Sequence, residues 1–202
     1  MGNRAMATGR SRFGPVALLL LVLYALDRLL KLGAVIAFFR RAPVPAPGAW
    51  PGVTLVQPLT RSRHDLTPIL RARLALTYPG TLQHILICDR ADRATQECCR
   101  AVFGPAAIIV LADPDGGGEI ASKIGKLNAG LPHATGEIVC FVDDDVSLRP
   151  DALQLLLPPL IDPAVGAVFG LACYTEWESV WSSLMTLFVN TNALVSYLPL
   201  TY

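Results

Sequence analysis

The sequence predicts an α/β fold in which a mostly parallel sheet is covered by helices on both faces. Short aliphatic runs at 53–57, 84–88 and 107–111 alternate with longer helix-like segments. Such alternation is typical of parallel strands joined by helical crossovers, because the crossover returns the chain to the start of the next strand. An apolar segment at 15–39 precedes these runs and predicts a separate helix.

The remaining elements follow from local patterns in the same region. The three runs above are followed by predicted helices at 65–77, from the second run to residue 103, and at 120–131. A fourth strand is predicted at 137–142 and a fifth at 165–169. Between them, Pro150 suits the first turn of a helix, and Pro158 ends it.

The apolar segment at 15–39 predicts a membrane anchor. As a helix it would reach roughly 37 Å, more than a hydrocarbon core requires. Asp27, Arg28 and Lys31 interrupt it near the middle, and Asp27 and Lys31 are spaced to pair on one helix face. A signal peptide is the alternative, with the arginines of the preceding tail as its basic region. No small-residue cleavage site follows the apolar core directly, which favours the anchor.

Composition and charge bear on membrane contact, nucleic-acid binding and the state of the cysteines. Hydrophobic residues make up 52% of the chain, and the mean hydropathy of +0.46 is high for a soluble domain. The net charge of +1 and the absence of a Lys/Arg-rich tract predict no nucleic-acid partner. The five cysteines show no zinc-type spacing and are expected to be reduced thiols.

An apolar strand that runs directly into three carboxylates is the strongest functional signal. Asp143, Asp144 and Asp145 follow the predicted strand at 137–142. Adjacent anions repel one another unless a cation neutralises them, and hard oxygen ligands suit Mg2+ or Mn2+. Because side chains alternate along a strand, Asp143 and Asp145 are expected to point one way and Asp144 the other. A solvated turn that caps the next helix is the alternative.

A second acidic cluster follows the second predicted strand. Asp89 and Asp92 are placed there, at the same edge of the sheet as the acidic triplet, where ligands of open α/β sheets bind. Asp92 is alternatively an N-cap for the next helix. Gly116–Gly118 followed by Lys123 do not form a phosphate-loop pattern, so we expect a mobile loop, with Lys123 reaching a diphosphate as a point charge.

Four segments together resemble the family 2 glycosyltransferases. Within that family they are most similar to the ceramide glucosyltransferase branch, including its bacterial relatives that glycosylate lipids or hopanoids. The similarity covers roughly residues 51 to 175. The segments are Pro-Gly-Val-Thr-Leu-Val-Gln-Pro-Leu at 51–59, Ile-Cys-Asp-Arg-Ala-Asp at 87–92, Lys-Ile-Gly-Lys-Leu-Asn-Ala-Gly-Leu at 123–131 and Val-Asp-Asp-Asp-Val-Ser-Leu-Arg-Pro-Asp at 142–151.

The resemblance implies a GT-A fold that transfers a sugar from a UDP-sugar to a lipid hydroxyl with inversion. It implies that Asp89 and Asp92 hold the uridine end and that Lys123 lies near the diphosphate. Asp143 and Asp145 would form the Asp-x-Asp pair for Mg2+ or Mn2+, and Asp143 and Asp144 would contact the nucleotide-sugar. The expected partners are the donor, a lipid acceptor and a membrane, with the catalytic domain on the cytoplasmic side of the cell membrane.

The sequence and the resemblance together predict the domain organisation. We expect an N-terminal tail at 1–14, the anchor at 15–39, a Pro/Gly-rich linker at 40–52, the GT-A domain at 53–175 and an amphipathic, membrane-proximal segment at 176–202. Family members supply a general base from a later acidic motif and close the site with Gln-x-x-Arg-Trp. Neither motif occurs before Tyr202, so the chain is expected to be the first part of a larger enzyme and inactive alone.

Two other functions fit part of the pattern. Residues 143–147 nearly match the Asp-x-Asp-x-Thr/Val box of haloacid dehalogenase-type phosphohydrolases, with Asp143 as nucleophile. That box normally lies on the first strand of its domain, whereas three strand–helix units precede this one. The other alternative is a membrane-anchored module that binds a nucleotide-sugar without catalysis.

Overall fold

The structure is a computed structural model that describes residues 14–60, 65–114, 120–175 and 177–201. The N-terminal tail, apart from Gly14, and the glycine loop predicted at Gly116–Gly118 lie outside the described residues. All five cysteines are free thiols, as expected.

Four parallel strands form a single sheet in the described residues. They are β1 (Val53–Pro58), β2 (Leu82–Asp89), β3 (Ala107–Ala112) and β4 (Ile138–Phe141). Their order is β3-β2-β1-β4, and all neighbours run parallel. The predicted α/β fold with a parallel sheet is therefore confirmed. Because β4 pairs with β1 on the side away from β2, the strand order reverses between β1 and β4.

Helices cover both faces of this sheet. The α-helices of the described residues are α1 (Gly14–Phe39), α2 (Thr67–Leu74), α3 (Arg93–Phe103), α4 (Lys123–Gly130), α5 (Ala152–Leu156) and α6 (Val180–Tyr197). Leu86 and Cys88 of β2 pack with α2 and α3 on one face, and Ile85 and Ile87 pack with α4 on the other. The alternation of side chains along β2 thus separates two cores.

The fifth strand predicted at 165–169 is absent from the sheet. The N–H of Val165 instead donates to the C=O of Asp162, closing a turn at 2.9 Å. Glycines at 166 and 170 leave few side chains to pack, and glycine weakens a strand interior. The prediction was wrong because a short aliphatic run does not by itself supply a neighbouring strand.

The helix expected at the N-terminus forms as α1. Asp27 pairs there with Arg28 at 2.5 Å and with Lys31 at 3.2 Å, as the spacing of Asp27 and Lys31 predicts. Among the described residues, no helix combines the length and the apolar character needed to cross a membrane. The membrane-spanning role predicted for 15–39 is therefore unsupported, since these charges interrupt the apolar run.

The chain divides into two compact units. One unit, Val44–Gly170, contains the whole sheet together with α2 to α5. The other contains the described residues up to Pro43 and those from Leu171 onward, with α1 and α6. In α6, Ser179 and Ser182 form a capping box, in which each side chain binds the other residue's backbone N–H.

Candidate functional site

Polar residues gather at the carboxyl ends of β1, β2 and β4. Thr60 follows β1, Asp89 ends β2, and the acidic triplet at 143–145 follows β4. The crevice between β1 and β4 is the point where the strand order reverses, which is where open α/β sheets bind their ligands. The topology therefore brings the predicted acidic triplet to the expected binding edge.

A tight turn presents the triplet. The N–H of Val142 still bonds the C=O of Val56 on β1 at 3.2 Å, and the Val142 side chain is buried. The N–H of Val146 then bonds the C=O of Asp143 at 3.3 Å. The buried Val142 thus fixes the end of the strand, and the chain turns through the carboxylates immediately beyond it.

The three carboxylates have different surroundings. Asp143 is exposed and pairs with Lys123 at 2.5 Å. Asp144 is half-buried and accepts hydrogen bonds from Thr60, from its N–H at 2.7 Å and from its hydroxyl. Asp145 is exposed and, within the parts of the chain that the structure describes, has no hydrogen bond or ion pair. Asp144 is therefore engaged across the crevice, whereas Asp143 and Asp145 face the solvent.

Lys123 reaches the triplet from the start of α4. Ser122 is the N-cap of that helix, and its hydroxyl oxygen accepts the N–H of Gly125 at 2.9 Å. This cap begins α4 at Lys123, whose ammonium contacts Asp143. The structure thus brings together two of the residues predicted to surround a diphosphate.

Asp89 is held inside the protein by a second lysine of the same helix. Lys126 and Asp89 are fully buried and lie 2.8 Å apart, and Lys126 also donates to the C=O of Leu59 at 2.7 Å. The other carboxylate oxygen of Asp89 accepts the N–H of Ala121 at 2.8 Å. Both oxygens of Asp89 are therefore occupied by the protein itself. Its predicted contact with the uridine end stays a prediction.

Asp92 caps α3. Its carboxylate accepts the N–H of Thr95 at 3.2 Å and the Thr95 hydroxyl at 2.6 Å. The N-cap alternative for this residue is therefore confirmed. A second role at the uridine end stays a prediction.

An arginine that the sequence analysis did not identify lies beneath the acidic turn. Arg73 of α2 is fully buried and donates to Gln57 Oε1 at 2.9 Å, to the C=O of Val146 at 3.3 Å and to the C=O of Asp143. Burial lowers the pKa of Arg73 to about 10, although the three nearby carboxylates act in the opposite direction. The guanidinium remains charged at neutral pH.

The sequence holds a signal for this arginine. Leu66, Leu70 and Arg73 recur at helical spacing, so Arg73 falls on the apolar face of α2. A charged residue at such a position requires buried partners. The sequence gives a weaker indication that Lys126 is buried. Lys123 and Lys126 are three residues apart, and two lysines at that spacing are simply interpreted as a solvent-exposed helix face.

The donor set at the turn fits a divalent cation. In the described parts of the chain, no group of three or more His, Cys, Asp or Glu side chains converges as a complete metal site. Asp143 and Asp145 nevertheless offer two exposed carboxylates, and Mg2+-type ions commonly take one or two carboxylates and complete their shell with water and substrate phosphates. Two carboxylates at an open edge match that requirement.

The fold and this site define a class of α/β proteins that bind ligands at the point where the strand order reverses. The model described as glycosyltransferase-like family 2 matches residues 51–194, and the chain belongs to that family. The resemblance to family 2 is thereby confirmed at the level of the family. No curated protein matches the chain significantly.

A solved structure supports the fold independently. The chain is similar to a mannosyltransferase from Pyrobaculum calidifontis in complex with GDP-Man and Mn2+, with 25% identity and a TM-score of 0.54. The match covers 75% of this chain and 47% of the mannosyltransferase, so the chain spans about half the length of that protein. The α/β domain therefore matches the predicted GT-A fold.

Proposed function

We propose that this chain binds a nucleoside-diphosphate sugar and a divalent cation as part of a glycosyltransferase. The acidic turn at the sheet reversal, paired with Lys123, is the observation that supports this proposal most strongly. The mannosyltransferase with GDP-Man and Mn2+ supports the class of donor and cofactor. From the resemblance of its motifs to the ceramide glucosyltransferase branch, we propose a UDP-sugar as the donor.

In this proposal, Asp143 and Asp145 hold Mg2+ or Mn2+ at the open edge of the sheet. The ion would offset negative charge on the leaving diphosphate. Lys123 is placed to do the same, because its exposed ammonium lies at the first turn of α4 and already contacts Asp143. Asp144 fixes the crevice by binding Thr60 across it.

We propose a lipid hydroxyl as the acceptor, with inversion at the sugar carbon, at the cytoplasmic surface of a membrane. The motif resemblance supports inversion and this class of acceptor. The exposed apolar side chains of α6 support a lipid environment, since Trp181 is 80% and Phe188 65% exposed. Assignment to the ceramide glucosyltransferase branch belongs to the same proposal.

Calorimetric titration of the chain with UDP and with GDP, each with and without Mn2+, tests the donor site. We expect UDP to bind in the presence of Mn2+. We expect Asp143→Asn to weaken that binding by at least about tenfold, because the ion loses a carboxylate ligand. Asp151→Asn is the matched control, since Asp151 is an acidic residue of the same unit whose carboxylate pairs with Arg149.

The same variants separate the alternatives. Nucleotide binding that is equal in Asp143→Asn and wild type, and insensitive to metal removal, would contradict the proposed site. Hydrolysis of an aryl phosphate that is lost in Asp143→Asn would instead support the phosphohydrolase. Tighter binding of GDP than of UDP would keep the glycosyltransferase but overturn the proposed donor.

A further inference from the structure

We propose that Arg73 is a positioning residue for the acidic turn, which it holds in its metal-binding conformation through the backbone. The inference rests on the proposed function, because it assumes that Asp143 and Asp145 bind a cation. It concerns the arginine beneath the turn rather than the carboxylates themselves.

Arg73 binds the turn at both of its ends. Its guanidinium donates to the C=O groups of Asp143 and Val146, which are also the two residues joined by the closing hydrogen bond of the turn. Both bonds come from Nη2, while Nη1 donates to Gln57 on β1, so the planar guanidinium joins the turn to the sheet in a fixed geometry that the single nitrogen of an ammonium does not offer. Arg73 therefore fixes the separation of the two ends and with it the direction of the carboxylates between them.

The contacts of Arg73 leave the acidic side chains available. Arginine commonly binds a carboxylate with two parallel hydrogen bonds, but here all its bonds to the turn go to backbone carbonyls. The positive charge still lies beneath three adjacent anions and offsets their mutual repulsion. Charge compensation is thus supplied without occupying an oxygen that a cation would need.

The guanidinium is itself anchored to the centre of the sheet. Gln57 on β1 accepts a hydrogen bond from Arg73 at 2.9 Å, and the Gln57 amide nitrogen lies 3.4 Å from His84 Nδ1 on β2. All three side chains are buried. Arg73 and Gln57 therefore connect the turn after β4 to β1 and β2. The carboxyl ends of these two strands form the other side of the crevice.

Burying the charge of Arg73 costs free energy. A buried charge must be compensated by hydrogen bonds, and Arg73 Nε has no partner among the described residues. The helix face that carries Arg73 otherwise presents leucines such as Leu70, which is also fully buried. An apolar residue would fill the same face without that cost, so the bonds to the turn distinguish Arg73 from packing.

Binding of Mn2+ alone, followed by electron paramagnetic resonance, tests the inference in the full chain. We expect Arg73→Met to weaken Mn2+ affinity by about tenfold, the lower end of the effect seen when a residue that orients a metal ligand is removed. Leu70→Ala is the matched control, because it disturbs the same buried face of α2 without contacting the turn. We expect it to lower the thermal midpoint and leave Mn2+ affinity unchanged.

Three results with the variants would overturn the inference. One is wild-type Mn2+ affinity in folded Arg73→Met. Another is an equal loss of affinity in Leu70→Ala, which would indicate a purely structural role. If Arg73→Met does not fold, Arg73→Lys replaces it. A lysine keeps the charge but has one nitrogen in place of the two that bind Gln57 and the turn, so wild-type affinity in Arg73→Lys would also overturn the inference.

The wild-type titration separates this inference from the proposed function. If the wild-type chain binds Mn2+ and Asp143→Asn does not, the metal site stands and the Arg73 variants decide the inference alone. If wild type binds no Mn2+, the proposed metal site fails, and the role of Arg73 is overturned with it.

Discussion

Two lysines one turn apart on α4 have different roles because their surroundings differ. The side chain of Lys123 is 55% exposed and contacts an equally accessible carboxylate, Asp143. The side chain of Lys126 is fully buried and contacts the buried Asp89. Water screens the first pair, so that lysine is free to exchange its partner for a ligand. The second pair lies in the protein interior and joins the carboxyl ends of β1 and β2, because Lys126 also binds the C=O of Leu59.

Substitution of each lysine by methionine therefore has a distinct expected result. Lys126→Met leaves Asp89 buried without its cation and is expected to lower the free energy of unfolding by about 3–5 kcal/mol. Lys123→Met, the matched control on the same helix, is expected to change it by less than about 1 kcal/mol. Urea unfolding followed by circular dichroism measures both. Similar losses in the two variants would contradict the distinction.

The buried His84 is expected to make the stability of the protein depend on pH. Burial, together with the charge of Arg73, lowers the pKa of His84 to about 4 from 6.5. The folded state therefore binds fewer protons than the unfolded state between these values. Its stability is complete above pH 6.5 and falls as the pH drops towards 4, by about 3 kcal/mol in total.

Urea unfolding between pH 4 and pH 7.5 measures this effect, with His84→Gln as the control. Because exposed carboxylates titrate in both proteins, the difference between the two curves isolates His84. We expect the wild type to lose more stability than the variant as the pH falls from 6.5 to 4. Parallel curves would show that His84 is not held neutral by its surroundings.

At the scale of elements, the N-terminus of α3 allows the capping role of Asp92 to be distinguished from a role in nucleotide binding. Asp92 is the N-cap of α3 and uses its carboxylate for Thr95. Asp92→Ala is expected to cost about 1 kcal/mol of stability, and Asp92→Ser to restore most of it, because serine is also a good N-cap. Chemical denaturation measures the stability, and nucleotide titration is run in parallel. Weakened nucleotide binding in a stable Asp92→Ser protein would show that Asp92 also contacts the donor.

The first three strands and the helices that follow them were predictable from the sequence, because apolar runs and helix-like segments alternate clearly there. The aliphatic runs of β1 to β3 are bounded by turn residues, and each is followed by a helix, although α2 and α4 are shorter than the helices predicted at 65–77 and 120–131. The run at 165–169 is also apolar, apart from its glycine, yet it forms no strand. A strand needs a partner, and no local pattern specifies which neighbours are present.

The candidate site was predictable in part for the same reason. The acidic triplet stands out because three carboxylates follow an apolar strand. Arg73 and Lys126 were missed because a role that depends on a buried partner is set by contacts distant in sequence, 70 residues apart for Arg73 and Asp143 and 37 for Lys126 and Asp89. Charge alone does not show which lysine is buried.

At the scale of the whole molecule, the candidate site lies within one unit. Thr60, Arg73, Lys123 and the acidic triplet all fall in Val44–Gly170. A ligand of the site should therefore stabilise the first unit directly, because binding only the folded state raises its stability.

Differential scanning calorimetry of the full chain tests this expectation. With Mn2+ and UDP at about 100 times the dissociation constant, binding stabilises the folded site by about 2.7 kcal/mol. That corresponds to a rise of the melting midpoint on the order of 10 °C for a unit of this size. We expect one transition to shift, and EDTA or Asp143→Asn to abolish the shift. A shift that survives metal removal would place nucleotide binding away from the acidic turn, and equal shifts of two transitions would show that both units bind the ligand.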